Sequence, residues 1–475
     1  MKRGLPLLCA VAAAVLAGCV NLAPAYTAPA SPVPQALPSS GVEAPTPLDV
    51  GWRSFFVDPR LQGTIELALA HNRDLRVAAL NIERARAQYG IARASLFPTV
   101  DAGAGGSRSR TPGSLSSGGE PRYATQYSAD LGLTSYEIDL FGRVRNLGES
   151  ALQSYFQTEA TQRSTQISLV AAVATAWLQL AADAQRLQLA RDTLESQRKS
   201  FDLVERSHRL GAQSGLALAQ AQSTVDAARA DAAAFDSLVE QDRNALALLV
   251  GTTPPAELLP AAPATGTGVP ETAAMVTQLL VPPPDLPSSV LHQRPDVLAA
   301  EHALRASNAD IGAARAAFFP RIALTASAGT ASSTLSGLFA GGSQAWSFAP
   351  SISVPIFDGG ANRANLRVAQ AQQKIQIATY EKAVQTAFRE VADALAERRT
   401  LAERLDAQRS LLGATARSFA LSQSLFRSGA SSYLDVLDAQ RAHYAAQQTL
   451  IGLQLTEQAN RLAIYKALGG GWKDS

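Results

Sequence analysis

Gly90-Ile91-Ala92-Arg93-Ala94-Ser95-Leu96-Phe97-Pro98 and Gly312-Ala313-Ala314-Arg315-Ala316-Ala317-Phe318-Phe319-Pro320 are one pattern written twice, 222 residues apart. Asp74-Leu75 and Asp296-Val297 keep the same spacing. Further along, Arg209-Leu210-Gly211-Ala212 matches Arg427-Ser428-Gly429-Ala430, Ala221-Gln222 matches Ala439-Gln440, and Arg243 matches Arg461, all 218 apart. A spacing held over such a length marks an internal repeat. The change of four predicts a length difference between Pro98 and Gly142, or between Pro320 and Gly360, where the loops differ.

Proline punctuates the same plan. None occurs from Arg122 to Thr253 or from Ile356 to Ser475, and ten of the 25 lie between Pro254 and Pro295. Two long segments able to be helical therefore flank a Pro-rich connector. We divide the chain into a first repeat over 51–253, a connector over 254–293, a second repeat over 294–469 and a tail over 470–475. Each repeat reads helix, two strands, long helix, turn, helix. The first helix ends at Phe97-Pro98 or Phe319-Pro320, because the residue before proline is pushed out of the helical region. Ile322, Leu324, Ala326 and Ala328 lie two apart, as do Trp346, Phe348, Pro350, Ile352, Val354 and Ile356, which is strand period. The Gly/Ser-rich stretches Thr111–Gly119 and Ser332–Gly342 read as hairpin loops.

A long helix from about Val144 to Leu210 would measure on the order of 100 Å. Leu187, Leu194 and Phe201 are seven apart, and so are Leu405, Leu412, Phe419 and Phe426. Heptad spacing predicts helices packed side by side as coiled coil. The charge-free stretch Ser164–Ala182 carries too many Ser, Thr and Gln for a lipid span and reads as a buried helix.

At the N-terminus, Lys2 and Arg3 precede a short apolar run, Leu5 to Ala17, which has the layout of a signal peptide over 1–18. Leu16-Ala17-Gly18-Cys19 resembles a bacterial lipoprotein lipobox. That resemblance implies cleavage before Cys19, then diacylglycerol on its thiol and an N-acyl chain on its amine. Val20, where inner-membrane lipoproteins commonly carry Asp, favours the outer membrane. Residues 19–50 read as a lipidated, Pro/Ala-rich extended tether.

Composition excludes several classes. The 42 Lys+Arg nearly cancel the 40 Asp+Glu, which argues against a nucleic-acid binder. Two cysteines rule out a disulfide scaffold and a Cys-rich zinc module. Mean hydropathy is +0.00, too low for a polytopic helical membrane protein. No HExxH, GxSxG or Walker loop occurs, and His71, His208, His292, His302 and His443 show no ligand spacing. We expect no enzyme, metal site or cofactor beyond the lipid on Cys19.

From Gly51 to Leu468 the chain resembles the outer-membrane efflux protein family, the TolC/OprM-like outer-membrane factors, and within it the lipidated drug-efflux branch. The resemblance rests on Trp52, Phe56, Asp58-Pro59 and Leu61, Ala68-Leu69, Asn72-Arg73-Asp74-Leu75, Arg294-Pro295-Asp296-Val297, Ala299-Ala300-Glu301, Phe319-Pro320, Pro355-Ile356-Phe357-Asp358-Gly359-Gly360 and Leu434-Asp435-Val436-Leu437-Asp438-Ala439-Gln440-Arg441. It implies a mainly α fold with a transmembrane β portion. In a homotrimer, four strands per chain would build a twelve-stranded barrel, continued by a periplasmic α-helical barrel. Physics agrees, since four strands alone leave two edges that lipid cannot satisfy. The implied function is a passive exit duct in the outer membrane, serving an inner-membrane pump through a periplasmic adaptor (membrane fusion protein).

The resemblance also implies roles for residues. Leu210-Gly211-Ala212 and Ser428-Gly429-Ala430 would meet the adaptor, and each glycine also reads as a helix C-cap. Leu434, Asp435 and Asp438 would constrict the periplasmic mouth, the two acids forming stacked rings of three carboxylates. Asp435 and Asp438 share a helix face by their spacing alone, which equally suits solvated surface acids. Ala217 and Gln220 stand at the matching places of the first repeat, so the rings would be three-fold. Phe426 and Ser431 replace a Tyr and an Arg that latch the tip in some members. A type I secretion conduit, a metal-efflux channel and a lipid-anchored coiled-coil scaffold without a channel are the alternatives.

Overall fold

Both repeats share a helix, two strands, a 67-residue helix and a shorter helix in the computed structural model, which describes residues 20–37, 50–261, 276–277 and 286–470. The lipobox with Cys19, residues 38–49, most of the connector and the last five residues lie outside the described residues. The first repeat runs α1 (Trp52–Phe55), α2 (Pro59–His71), α3 (Arg73–Ala94), β1 (Val100–Thr111), β2 (Arg122–Ile138), α4 (Arg143–Arg209) and α5 (Gly215–Val250). The second runs α6 (Pro295–Ala316), β3 (Arg321–Ser332), β4 (Gln344–Ser353), α7 (Ala361–Arg427) and α8 (Tyr433–Ala467). Helices α4 and α7 are each 67 residues long.

Three details refine the sequence reading. A break at Asn72 splits the first opening helix. Its backbone is extended, its side-chain oxygen accepts from the Leu75 N–H at 2.8 Å, and its Nδ2 donates to the Leu249 carbonyl at 2.7 Å. The four-residue difference lies not in the hairpin loops but in β2 and its link to α4. From the start of β2 to the start of α4 the count is 21 residues, against 17 from β4 to α7. A bulge between Leu133 and Tyr136, with Ser135 at φ 49°, takes up part of that length. Lastly, Val354 and Ile356 fall beyond β4, which ends at Ser353, two residues before Pro355.

Backbone contacts divide the chain into two compact units. The first holds residues 81–159, 299–380 and the described part of 1–30. Its centre is an antiparallel sheet in the order β1-β2-β3-β4. Directly opposed residues share a face, so the register sorts the side chains. One face carries Tyr123, Tyr127, Leu131, Leu133, Tyr136 and Ile138 of β2, with Ile322 and Leu324 of β3 and Trp346, Phe348 and Ile352 of β4. The other carries Asp101, Gln126, Ser128, Asp130, Ser327, Ser347 and Ser351. Trp346 is 80% exposed and Ile352 69%. An apolar face this open, on a sheet whose two edges have no strand partner among the described residues, suits lipid and not water. At the end of the sheet joined to the helices, Glu137 accepts two bonds from Arg143 at 2.8 Å and two from Arg321 at 3.1 and 2.6 Å.

Residues 20–30, read from the sequence as extended tether, are strapped to this unit by hydrogen bonds. The Leu22 carbonyl accepts from Arg315 at 3.1 Å, the Pro24 carbonyl from Asn308 at 2.8 Å, and Asn21 Oδ1 from Asn146 at 2.8 Å. Arg305 lies over the Tyr26 ring, 4.9 Å from its centroid, well inside the reach of about 6 Å for such pairs. Within the segment the Ala23 N–H donates to Asn21 Oδ1 at 3.0 Å, and side chains of α6 supply partners for the Leu22 and Pro24 carbonyls.

The second unit holds residues 31–80, 160–298 and 381–475 in their described parts. Its core packs Trp52, Phe55 and Phe56 with Tyr465, whose ring stacks on Phe55 at 3.9 Å. Within the charge-free stretch of α4, Ile167, Val170, Val173, Ala174, Trp177, Leu178 and Leu180 are buried, and Trp177 Nε1 donates to the Leu258 carbonyl at 2.9 Å. The heptad leucines also pack between helices: Leu405 and Leu412 of α7 meet Leu450 and Leu453 of α8.

Candidate functional site at the helix-hairpin tips

Both helix-to-helix turns close in one geometry. Gly211 N–H donates to the His208 carbonyl and Ala212 N–H to Ser207; Gly429 N–H donates to Phe426 and Ala430 N–H to Leu425, all at 2.9–3.0 Å. These are Schellman C-caps, with the glycine left-handed at φ 74° in each. A Cβ on either glycine would meet nothing within 4 Å, so conformation alone demands glycine there. Gly429→Ala should cost about 1 kcal/mol locally. Faster amide exchange through the α7–α8 turn would register that cost, and exchange equal to wild type would refute it.

Each turn leads into a capped helix. Ser214 accepts from the Ala217 N–H to start α5. Ser432 and Asp435 form a reciprocal capping box at α8. The Asp435 carboxylate accepts from Ser432 N–H at 3.0 Å and from its hydroxyl at 2.9 Å. Thus Asp435 already holds a helix terminus together. Asp438 lies one turn on, 3.6 Å from Arg441, with both side chains mostly exposed.

The structure brings the two tips together. Tyr433, Val436 and Leu437 of α8 pack with Val204 of α4 and with Ala217 and Ala221 of α5; Phe201, Phe419 and Phe426 close around them. Leu434, Asp435 and Asp438 occupy the opposite face of α8 and are exposed. Leu210 is 85% exposed, and Gly211, Ala212, Ser428, Gly429 and Ala430 are exposed with it. The expected adaptor residues are therefore accessible, and the three expected mouth residues share one open face.

Sequence reasoning missed the tip core. The Phe426 ring lies 5.4 Å from Tyr433, so Phe426 takes part in apolar packing between α7 and α8. Burial raises the Tyr433 phenol above its ordinary value. Its hydroxyl and that of Ser431 find no hydrogen-bond partner among the described residues.

Behind this apolar plug comes a polar layer. Thr224 donates to Gln197 at 3.0 Å, and Tyr444 donates to Asp231 at 3.2 Å. Burial and the Asp231 charge push the Tyr444 phenol up to about 12. A cavity of about 240 Å³ lies elsewhere in the unit against Trp177, while this layer encloses about 120 Å³ lined by Gln197, Thr224, Asp231, Gln440 and Tyr444. The arrangement has no nucleophile–base pair, and no cluster of metal-ligating side chains occurs among the described residues. It can do mechanical work: an apolar plug, a layer of exchangeable hydrogen bonds and an acidic exposed face.

The family described as "Outer membrane efflux protein" matches residues 64–252 and again 286–470. The chain is 46% identical over 469 residues to the antibiotic efflux pump outer membrane protein ArpC of Pseudomonas putida, covering 98% of this chain and 95% of the relative. It is 42% identical over 465 residues to outer membrane protein OprJ of Pseudomonas aeruginosa, covering 97% and 95%. Among solved structures, the open-state MtrE outer membrane channel of Neisseria gonorrhoeae is similar, with a TM-score of 0.83, 40% identity, and coverage of 96% and 99%.

Proposed function

The chain belongs to the outer membrane efflux protein family, and from that premise we propose how it works as the outer-membrane channel of an efflux system. Three copies join their sheets, β4 of one pairing with β1 of the next, so that no strand edge remains open to lipid. The apolar sheet face meets the bilayer and the polar face lines the conduit. One observation carries this reading: an exposed apolar face on a four-stranded sheet whose two edges have no strand partner among the described residues.

The channel is passive and draws its driving force from an inner-membrane pump. A periplasmic adaptor docks on the Gly211 and Gly429 turns, and the acyl chains on Cys19 anchor the tether in the outer membrane, at roughly 0.8 kcal/mol per buried CH₂. Small molecules are the cargo, antibiotics and solvents among them, in keeping with relatives named for antibiotic efflux and, in the SrpC protein of Pseudomonas putida, for solvent efflux. Opening separates the Tyr433–Phe426 plug and exchanges the hydrogen bonds of the Thr224–Tyr444 layer. Gene deletion followed by a panel of antibiotics, solvents, dyes and metals tests the cargo class. Sensitivity to metals alone would overturn it. Crosslinking from Ala212→Cys and Ala430→Cys, which leave the left-handed glycines intact, identifies the adaptor.

The acid face makes a separate expectation. In a planar bilayer, Asp438→Ala should relieve block by cations without loss of fold, because its carboxylate caps nothing. Asp435→Ala should relieve block and also loosen the start of α8 by about 1 kcal/mol. Unchanged conductance and cation block in both variants would remove the acid rings from the mechanism.

A further inference from the structure

We infer that Arg108 and Arg110, on the outward face at the hairpin end of the sheet, bind the phosphates of lipid A in the outer leaflet. The inference rests on the barrel reading of the sheet. Arg108 opposes Thr125 and Arg110 opposes Tyr123 across the β1–β2 ladder. Opposed residues share a face, so both guanidinium groups lie on the side of Tyr127, Leu131 and Leu133, which is the apolar, lipid-facing side. Each stands over the same ring, at 5.7 Å and 5.9 Å from the Tyr123 centroid. Neither forms an ion pair with any carboxylate among the described residues. The pair is thus a doubly charged, ring-backed platform whose N–H groups remain available.

Depth supports the assignment. From Ile138 to Tyr127 the apolar face covers about 36 Å of strand, or about 27 Å of height at a tilt of about 40°. That spans the apolar band of an outer-membrane barrel, about 25 Å. The arginines and Tyr123 come next, beyond the band and level with headgroups. An outward-facing arginine at mid-depth is strongly unfavourable, whereas near the interface it costs little. This end carries the β1–β2 loop, and the opposite end of the sheet joins the helices, so the arginines face the outer leaflet. There the phosphates of lipopolysaccharide are the fixed anions. A fork of N–H donors matches a phosphate in geometry and charge, and the tyrosine ring offers an apolar seat beside it. Arg122, by contrast, opposes Thr111 on the other face and points the same chemistry into the conduit.

Native mass spectrometry of the full-length, detergent-purified trimer tests this. Titrants are bisphosphoryl lipid A, dephosphorylated lipid A and phosphatidylglycerol. Wild type should prefer bisphosphoryl lipid A over both others. R108Q/R110Q should bind it at least about tenfold more weakly, R108K/R110K should fall between, and R122Q should match wild type. Equal binding of dephosphorylated lipid A or of phosphatidylglycerol to wild type overturns the proposal whether or not the variants fold. So does unchanged binding in R108Q/R110Q, or an equal loss in R122Q. Trimer formation is read first, by heat-modifiable migration. A wild-type chain that forms no trimer removes the barrel reading and the lipid site together, whereas an intact trimer without phosphate preference removes the lipid site alone.

Discussion

Replacing Arg294 with alanine is expected to cost about 3 kcal/mol, at the lower end of the range for breaking a buried ion pair. The side chain is 7% exposed and sits just ahead of α6. Its Nε and Nη2 donate to the two Asp296 oxygens at 3.0 and 2.8 Å, Nη2 also reaches Glu390 of α7 at 2.7 Å, and Nη1 donates to the Ala467 carbonyl at the end of α8 at 2.7 Å. One guanidinium therefore ties the start of α6, the middle of α7 and the last turn of α8. Alanine would leave two carboxylates facing each other and a carbonyl unsatisfied. Both acids are partly wet, which keeps the cost near the lower bound. Arg294→Lys should recover the charge but not the fork, and so fall between. The pH dependence has a definite sign. Burial alone would push the Asp296 carboxyl up, but hydrogen bonding and charge from Arg294 outweigh it and hold the carboxyl below its ordinary 3.8. A depressed acid stabilises the fold above its ordinary value, and that stability is lost as pH falls toward the lower folded value. Wild type and Arg294→Ala should therefore converge in acid. Thermal melting of the detergent-solubilised protein measures the gap, and a gap of only a few tenths of a kcal/mol near neutral pH would refute the role.

The same arginine shows where sequence reading succeeds and stops. Arg294-Pro295-Asp296 stood out as a pattern, yet its partners Glu390 and Ala467 are brought near only by folding. Local chemistry was legible. Gly211 and Gly429 announce the turns because only a left-handed residue closes a Schellman cap. In β3 and β4 the large apolar residues alternate, so strands could be read. In β1, Gly103, Gly105 and Gly106 erase the alternation, and the outward placing of Arg108 and Arg110 emerges only from the register with β2. The break at Asn72 was illegible because its amide partner is Leu249, 177 residues away in sequence. A local signal also went unused: Ser432 and Asp435 have the spacing of a capping box, which points to a structural task for Asp435 alongside any role at the mouth. The Tyr433 plug depends on contact between helices of different repeats, so no window of the sequence contains it.

Contact between distant helices also yields an expected gain of stability. Near pH 8, Asp242→Asn should stabilise the protein by about 1 to 2 kcal/mol. Asp242 of α5 meets Asp183 of α4, which is 3% exposed. Asp183 already accepts from Arg186 at 2.7 Å and from Gln179 at 2.6 Å. With both acids ionised, Asp242 Oδ2, itself buried, has no partner among the described residues; a proton on Asp242 lets it donate to Asp183. Burial first, then the hydrogen bond and charge of Asp183, raise the Asp242 carboxyl from 3.8 to about 6, against the pull of Arg186. Taken at face value that shift corresponds to about 3 kcal/mol, and partial exposure of the side chain reduces it through solvent screening. An acid with a raised folded value costs nothing below its ordinary value and destabilises increasingly as pH climbs through the folded one. The penalty thus builds between 3.8 and about 6 and is complete at pH 8. Asparagine supplies a permanent N–H donor to Asp183 and carries no charge, so it removes the penalty. The gain should fade as pH is lowered toward 4. Asp183→Asn should act in the opposite direction, because it strips Arg186 of its buried counter-charge. Melting temperatures of both variants across this pH range decide the matter. A gain in Asp242→Asn as large at pH 4 as at pH 8 would show that repacking, and not charge, is responsible.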